Sequence, residues 1–171
     1  MNIPRTSMLI LGLSIVSLGA DPPKLTMTSA IACKSVTGYE NYVELPGAAL
    51  TSEDKLLVYY RPLNYKIETT KAAGYHAHLV QEARIRRRGE KTVIWSKPNL
   101  LEYEAKKSEP LGPIYLNNTI ALKNLKPGDY DLDIILQDKL GETTVSQVLK
   151  FQVVPIKAET PEKSKDMPER R

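Results

Sequence analysis

The sequence predicts an all-β chain of six to eight antiparallel strands stacked as a β-sandwich, and three observations carry that expectation. From Lys55 onward the apolar residues recur with a period of two, the mark of strands with one face buried. No stretch of ten or more residues keeps a helical period, so the crossover helices that a parallel sheet needs are missing from the pattern. Finally, Leu125-Lys126-Pro127-Gly128-Asp129-Tyr130 sets a tight turn directly before an alternating run.

The 171 residues suit one domain, because compact domains usually hold about 100–150 residues. Positions 8–20 (MLILGLSIVSLGA) form an apolar run after Arg5 and before Asp21-Pro22-Pro23, the layout of a signal peptide; at 13 residues the run is shorter than the roughly 20 needed to span a bilayer. The expected organisation is therefore a signal peptide at 1–20, a linker at 21–32, the sandwich at 33–155 and a disordered charged tail at 156–171. The tail (IKAETPEKSKDMPERR) has almost nothing to bury, so ordering it brings no compensating gain.

Within the domain, Lys55–Tyr60 (KLLVYY) is β-branched and aromatic, and Pro62 interrupts it before a short run at 63–68. At 75–87, Tyr75, Ala77, Leu79, Ala83 and Ile85 alternate with His76, His78, Glu82, Arg84 and Arg86, which describes a half-wet strand. Arg88-Gly89-Glu90 turns the chain into a return strand at 91–95. Positions 97–113 hold three prolines and a charged middle, and are expected to form a long loop. Ile114, Leu116, Ile120 and Leu122 mark the next strand. Tyr130, Leu132, Ile134 and Leu136 mark another, with Asp129, Asp131 and Asp133 on its opposite face. The turn at 139–143 leads to a last strand lined by Val145, Leu149, Phe151 and Val153.

In the turn, Leu125 closes one strand on the core, Pro127-Gly128 makes the corner, and Tyr130 is placed to return its hydroxyl to a backbone group upstream. This tyrosine-corner pattern resembles the turn before the penultimate strand of immunoglobulin-like and fibronectin III-like domains. A wider pattern comprises Cys33, Gly38-Tyr39, Leu56-Leu57-Val58-Tyr59, Leu63-Asn64-Tyr65, Gly74-Tyr75 and Pro127-Gly128-Asp129-Tyr130 with Asp138. It is similar to uncharacterised exported bacterial proteins of the planctomycete type, which implies export and one sandwich and no assigned activity. The arginines between Arg84 and Arg88 depart from that pattern.

The charge balance gives no argument for nucleic acid as a partner. The formal net charge is +4 from 24 basic and 20 acidic residues, and without Arg5 and the tail the folded part keeps 18 basic and 16 acidic positions. Such a balance does not point to nucleic acid. The single cysteine, Cys33, lies in an apolar stretch and is expected to be a buried thiol, since no second cysteine offers an intrachain disulfide.

No set of residues meets the needs of catalysis. No serine sits in a Gly-x-Ser-x-Gly elbow, and no base and orienting acid are spaced around a nucleophile. His76 and His78 share a strand face and are the candidate metal ligands, but two ligands do not make a site. Asp129, Asp131 and Asp133 lie about 6.6 Å apart along a strand, too far for one calcium ion. Asn117-Asn118-Thr119 matches the N-glycosylation acceptor pattern.

Arg84, Arg86, Arg87, Arg88 and Lys91 form the candidate binding patch, a basic hairpin suited to anions on a protein or polymer. The competing account is that these arginines pair across the sheet with the Asp129, Asp131 and Asp133 row. The chain is thus expected to be a secreted, periplasmic or cell-surface binding or structural module, without enzymatic activity or cofactor. A homo-oligomer through an edge strand is a natural variant. Two alternatives are a metal-dependent enzyme or metal-binding protein using His76 and His78, and an accessory domain of a surface or secretion assembly.

Overall fold

A computed structural model of the chain describes residues 24–70 and 74–156; the expected signal peptide and all of the tail beyond Ile156 lie outside the described residues. The described residues are mostly strand, and none of them is in an α-helix. No helix among them is long and apolar enough to cross a membrane.

Among the described residues, twelve strands occur in the order β1 Thr26–Met27, β2 Ile31–Gly38, β3 Asn41–Glu44, β4 Ala49–Leu50, β5 Lys55–Tyr60, β6 Pro62–Leu63, β7 Glu68–Thr70, β8 Gly74–Arg87, β9 Val93–Lys107, β10 Leu116–Ala121, β11 Gly128–Asp138 and β12 Thr143–Val153. One sheet has the order β10-β5-β2-β3. The larger sheet has the order β4-β12-β11-β8-β7, with β9 also paired to β8, and β1 pairs with β6 as a small separate ribbon. The pairings are antiparallel apart from the two-residue contact of β12 with β4.

The two larger sheets share one core, because the period of two puts every second side chain inward. Leu56, Val58 and Tyr60 of β5 meet Leu79, Ala83 and Ile85 of β8, Leu132, Ile134 and Leu136 of β11, and Phe151 of β12. Full burial of each aliphatic or aromatic side chain contributes about 1.5–3 kcal/mol, so this interior is the main source of stability.

Two expectations need correction. The long loop expected at 97–113 is mostly strand: β9 runs to Lys107 and pairs with β8 from Arg86↔Val93 to Tyr75↔Lys107. Pro98 is tolerated because the ladder shifts register there and Asn99 takes φ +51. A bulge on an edge strand absorbs a proline that a central strand would not. The supposed linker at 21–32 also belongs to the fold from position 25, since Leu25 and Met27 are buried and Ala30 N donates to Gln147 Oε1 at 3.1 Å. Gln147 Nε2 in turn donates to Met27 O at 3.0 Å, which pins this segment to β12.

The tyrosine corner forms as expected. Tyr130 is 1% exposed, stacks on Phe151 at 5.4 Å between ring centroids, and donates its hydroxyl to Lys126 O at 2.7 Å. Tyr130→Phe keeps the packing and removes this bond, so it should cost about 1 kcal/mol of unfolding free energy, a net hydrogen-bond value. A urea titration of the two proteins reads it; an unchanged midpoint would show that the hydroxyl contributes nothing to the turn.

Candidate anion-binding cleft

The hairpin of β8 and β9 carries the expected basic residues, and strand alternation divides them. Arg84 and Arg86 point to the wet face of the larger sheet, where β11 runs antiparallel with Asp131↔Arg86 and Asp133↔Arg84. Arg86 donates Nε to Asp133 Oδ2 at 2.9 Å and Nη2 to Asp133 Oδ1 at 3.0 Å, a bidentate pair. It also lies 3.5 Å from Asp131, whose side chain is only 9% exposed. Arg88 bridges Asp129 at 3.4 Å and Asp131 at 3.5 Å. Arg84 donates to Glu82 at 2.5 Å. These carboxylates hold the Arg84 and Arg86 guanidinium groups still further above their ordinary pKa, chiefly through the Glu82 and Asp133 hydrogen bonds. Two of the five expected residues, Arg86 and Arg88, are therefore paired across the sheet with the aspartates of β11, whereas Arg84 is held by Glu82 of its own strand.

Arg87 is different. It stands opposite Tyr130 in the ladder and shares its core-side face, at the end of the sheet. Its guanidinium carbon lies 5.6 Å from the Tyr130 ring centroid, a cation–π contact. Gly128 leaves the room for it: a Cβ there would stand 3.3 Å from Arg87 Nη1. Arg87, Ile94, Trp95 and Tyr130 line a cleft of about 440 Å³ together with Lys123, Asn124, Leu125 and Lys126 of the β10–β11 loop. Asn124 takes φ +72, which turns the loop tightly between the two lysines.

Among the described residues, no carboxylate lines this cleft. Among the described residues, Arg87, Lys123 and Lys126 have no ion-pair partner, and neither does Lys91 at the hairpin tip. Three cations, an indole and a phenol ring lining one cleft with no acid among the described residues there make a place where an anion lowers mutual repulsion. Ile94, Trp95, Lys123 and Lys126 were not marked by the sequence, whereas Leu125, Pro127, Gly128 and Tyr130 enter as the turn that shapes the cleft.

The remaining candidates are occupied by other partners. His76 Nε2 is 3.2 Å from Glu104 Oε1 and His78 Nε2 is 2.7 Å from Glu102 Oε1, so each ring faces its own glutamate on β9. Lys106 and then His76 draw the Glu104 carboxyl below its ordinary range. Among the described residues no three of His, Cys, Asp and Glu come together as a metal cage. Cys33 is buried with its thiol directed at Ile31 O, and burial, followed by the charge of Glu44, raises its pKa away from the reactive thiolate.

On the other sheet, Tyr42, Tyr59 and Tyr115 stack in a row beside a recess of about 260 Å³. Its one cation among the described residues, Arg61, is already held by Glu40 and by the Tyr39 hydroxyl at 2.7 Å. The outer edge of β9 is blunted by Pro98 and by Glu102, Glu104 and Lys106, features that hinder addition of another strand. No protein-family model matches this sequence, and comparison with curated proteins likewise finds no match.

Proposed function

We propose that the chain is a non-catalytic, exported binding module, a β-sandwich of the immunoglobulin or fibronectin III kind, that holds an anionic partner in the cleft between the β8–β9 hairpin and the β10–β11 loop. The convergence of Arg87, Lys123 and Lys126 on a lining that holds no carboxylate among the described residues carries this reading. Support for the sandwich type comes from the two sheets sharing a core and from the Tyr130 hydroxyl bonded to Lys126 O. Export rests on the apolar run at 8–20, and kinship with planctomycete-type exported proteins rests on the sequence pattern described above.

The test separates the two groups of arginine. The triple variant Arg87→Ala/Lys123→Ala/Lys126→Ala should elute from a sulfated-polysaccharide column at lower salt than the parent. Its thermal midpoint should fall only slightly, since Lys123 and Lys126 are exposed and the half-buried Arg87 gives up a cation–π contact that contributes about 0.5–1 kcal/mol. Arg86→Ala should do the reverse, because it leaves Asp131 and Asp133 without their cation. Equal elution of the triple variant and the parent would overturn the cleft as the anion site.

A further inference from the structure

The start of β9 leaves two aliphatic side chains open that a hydrophilic polyanion does not use, Ile94 in the cleft lining and Val93 opposite Arg86 on the other face of the hairpin. Val93 and Ile94 are 43% and 45% exposed, and they are the only two consecutive large apolar residues left open among the described residues. Their exposure follows from the ladder. Ile85 pairs with Trp95 and Arg86 with Val93, so Ile94 is the extra residue of a bulge. A bulge re-aims its side chain away from the regular alternation. Ile94 thereby joins the lining of the cleft with Arg87, Trp95, Lys123 and Lys126.

Aliphatic side chains at a tip, an indole one step behind them and unpaired cations around both are the arrangement that suits a membrane interface. Aliphatic groups enter the acyl boundary, tryptophan sits at headgroup depth, and Lys and Arg meet lipid phosphates. The alternative occupant, a free anionic polymer, would account for the cations and leave Val93 and Ile94 without a role.

We infer that this end of the molecule docks on an anionic lipid surface, with Val93 and Ile94 inserted and with Arg87, Lys91, Lys123 and Lys126 against the headgroup phosphates. The inference rests on the anion-binding reading of the cleft and names its partner. In it, Arg84, Arg86 and Arg88 stay on the sheet face as structural pairs, and the cations left over for lipid are the unpaired ones.

The experiment is cosedimentation of the full chain with vesicles of phosphatidylcholine alone and of phosphatidylcholine with about one third phosphatidylglycerol, with Trp95, the only tryptophan, as fluorescent reporter. Expected are partitioning at least about tenfold stronger on the anionic vesicles, and a blue shift of Trp95 emission on binding. Val93→Ser, which lies outside the cleft lining, should lose about fivefold of that partitioning while its elution from the sulfated-polysaccharide column stays that of the parent. Because every variant keeps positions 8–20, that apolar run contributes equally throughout.

Column retention that depends on Arg87, Lys123 and Lys126, combined with absence of anionic preference on vesicles, would overturn the lipid inference and leave the cleft reading standing. Vesicle binding by the serine variant at the parent's strength would overturn insertion. Loss of both column and vesicle differences in the triple variant comparison would remove the anion site itself, and the lipid inference with it.

Discussion

Asp138→Ala is expected to lower the unfolding free energy by about 3 kcal/mol, because one buried carboxylate serves three backbone donors. Asp138 ends β11 and is 2% exposed. Its Oδ2 accepts Lys66 N at 2.6 Å, and its Oδ1 accepts Leu140 N at 3.0 Å and Gly141 N at 2.9 Å. The residue thus closes the β11–β12 turn and ties the segment before β7 to it. Alanine leaves all three N–H groups without an acceptor at a site that water reaches poorly. A side-chain amide keeps one acceptor oxygen, so Asp138→Asn should fall between the parent and alanine. Gly141→Ala attacks the same cluster from outside, since a Cβ would stand 2.7 Å from Asp138 Oδ2. Urea denaturation measures each step, and a loss below about 1 kcal/mol for alanine would show that the β11–β12 ladder holds the turn unaided. Asp138 pairs with Leu79, at the opposite end of β11 from Tyr130 and the cleft. The variant should therefore keep its salt of elution on the polyanion column wherever it is folded.

What the sequence made legible follows from how far each signal reaches. Alternation is local, and it placed β8, β10, β11 and β12 with their inward residues because each buries one face against the other sheet. The corner at 125–130 was legible since one turn, one proline and one tyrosine suffice to specify it. β9 was hidden: its inward side holds Trp95, Leu101, Tyr103 and Ala105, but the bulge at 98–100 breaks the period in its middle and its edge position allows charges along the outer side. The patch was half legible. Parity along β8 already separates Arg87 from Arg84 and Arg86, and applying it there would have sent Arg87 to the core side with Tyr130. Lys123 and Lys126 had no such rule, because they sit in a loop whose path across the sheet end depends on the packing of both layers. Asp138 could not be told from other surface acids for the same reason, as its three donors come from segments up to 72 positions away.

Gln81→Leu is the second large effect expected, about 3 kcal/mol, and its interest lies in how it should be reversed. Gln81 falls in the inward series of β8 between Leu79 and Ala83, where an aliphatic residue would satisfy the pattern, yet it is fully buried. Its Oε1 accepts the Tyr60 hydroxyl of β5 at 2.9 Å and Asn118 Nδ2 of β10 at 2.7 Å, so three side chains join the two sheets through one oxygen. Burial pushes the Tyr60 phenol well above its ordinary pKa, which leaves it a neutral donor at any physiological pH. Leucine at this position strands that hydroxyl and the Asn118 amide, each costing about 1–3 kcal/mol when buried without a partner. Gln81 Nε2 and Asn118 Oδ1 find no protein partner even in the parent, so the layer is only partly satisfied as it stands. Replacing all three members by apolar residues of similar volume, Tyr60→Phe/Gln81→Leu/Asn118→Leu, should accordingly regain the loss and bring the urea midpoint to or above that of the parent. A triple variant no more stable than Gln81→Leu alone would mean that the layer is held by shape rather than by hydrogen bonds. In that case the polar residues would be tolerated within the core, and the relative placement of the two sheets, on which the gap between Trp95 and the β10–β11 loop depends, would be set by the aliphatic packing of Leu56, Ile85 and Leu132.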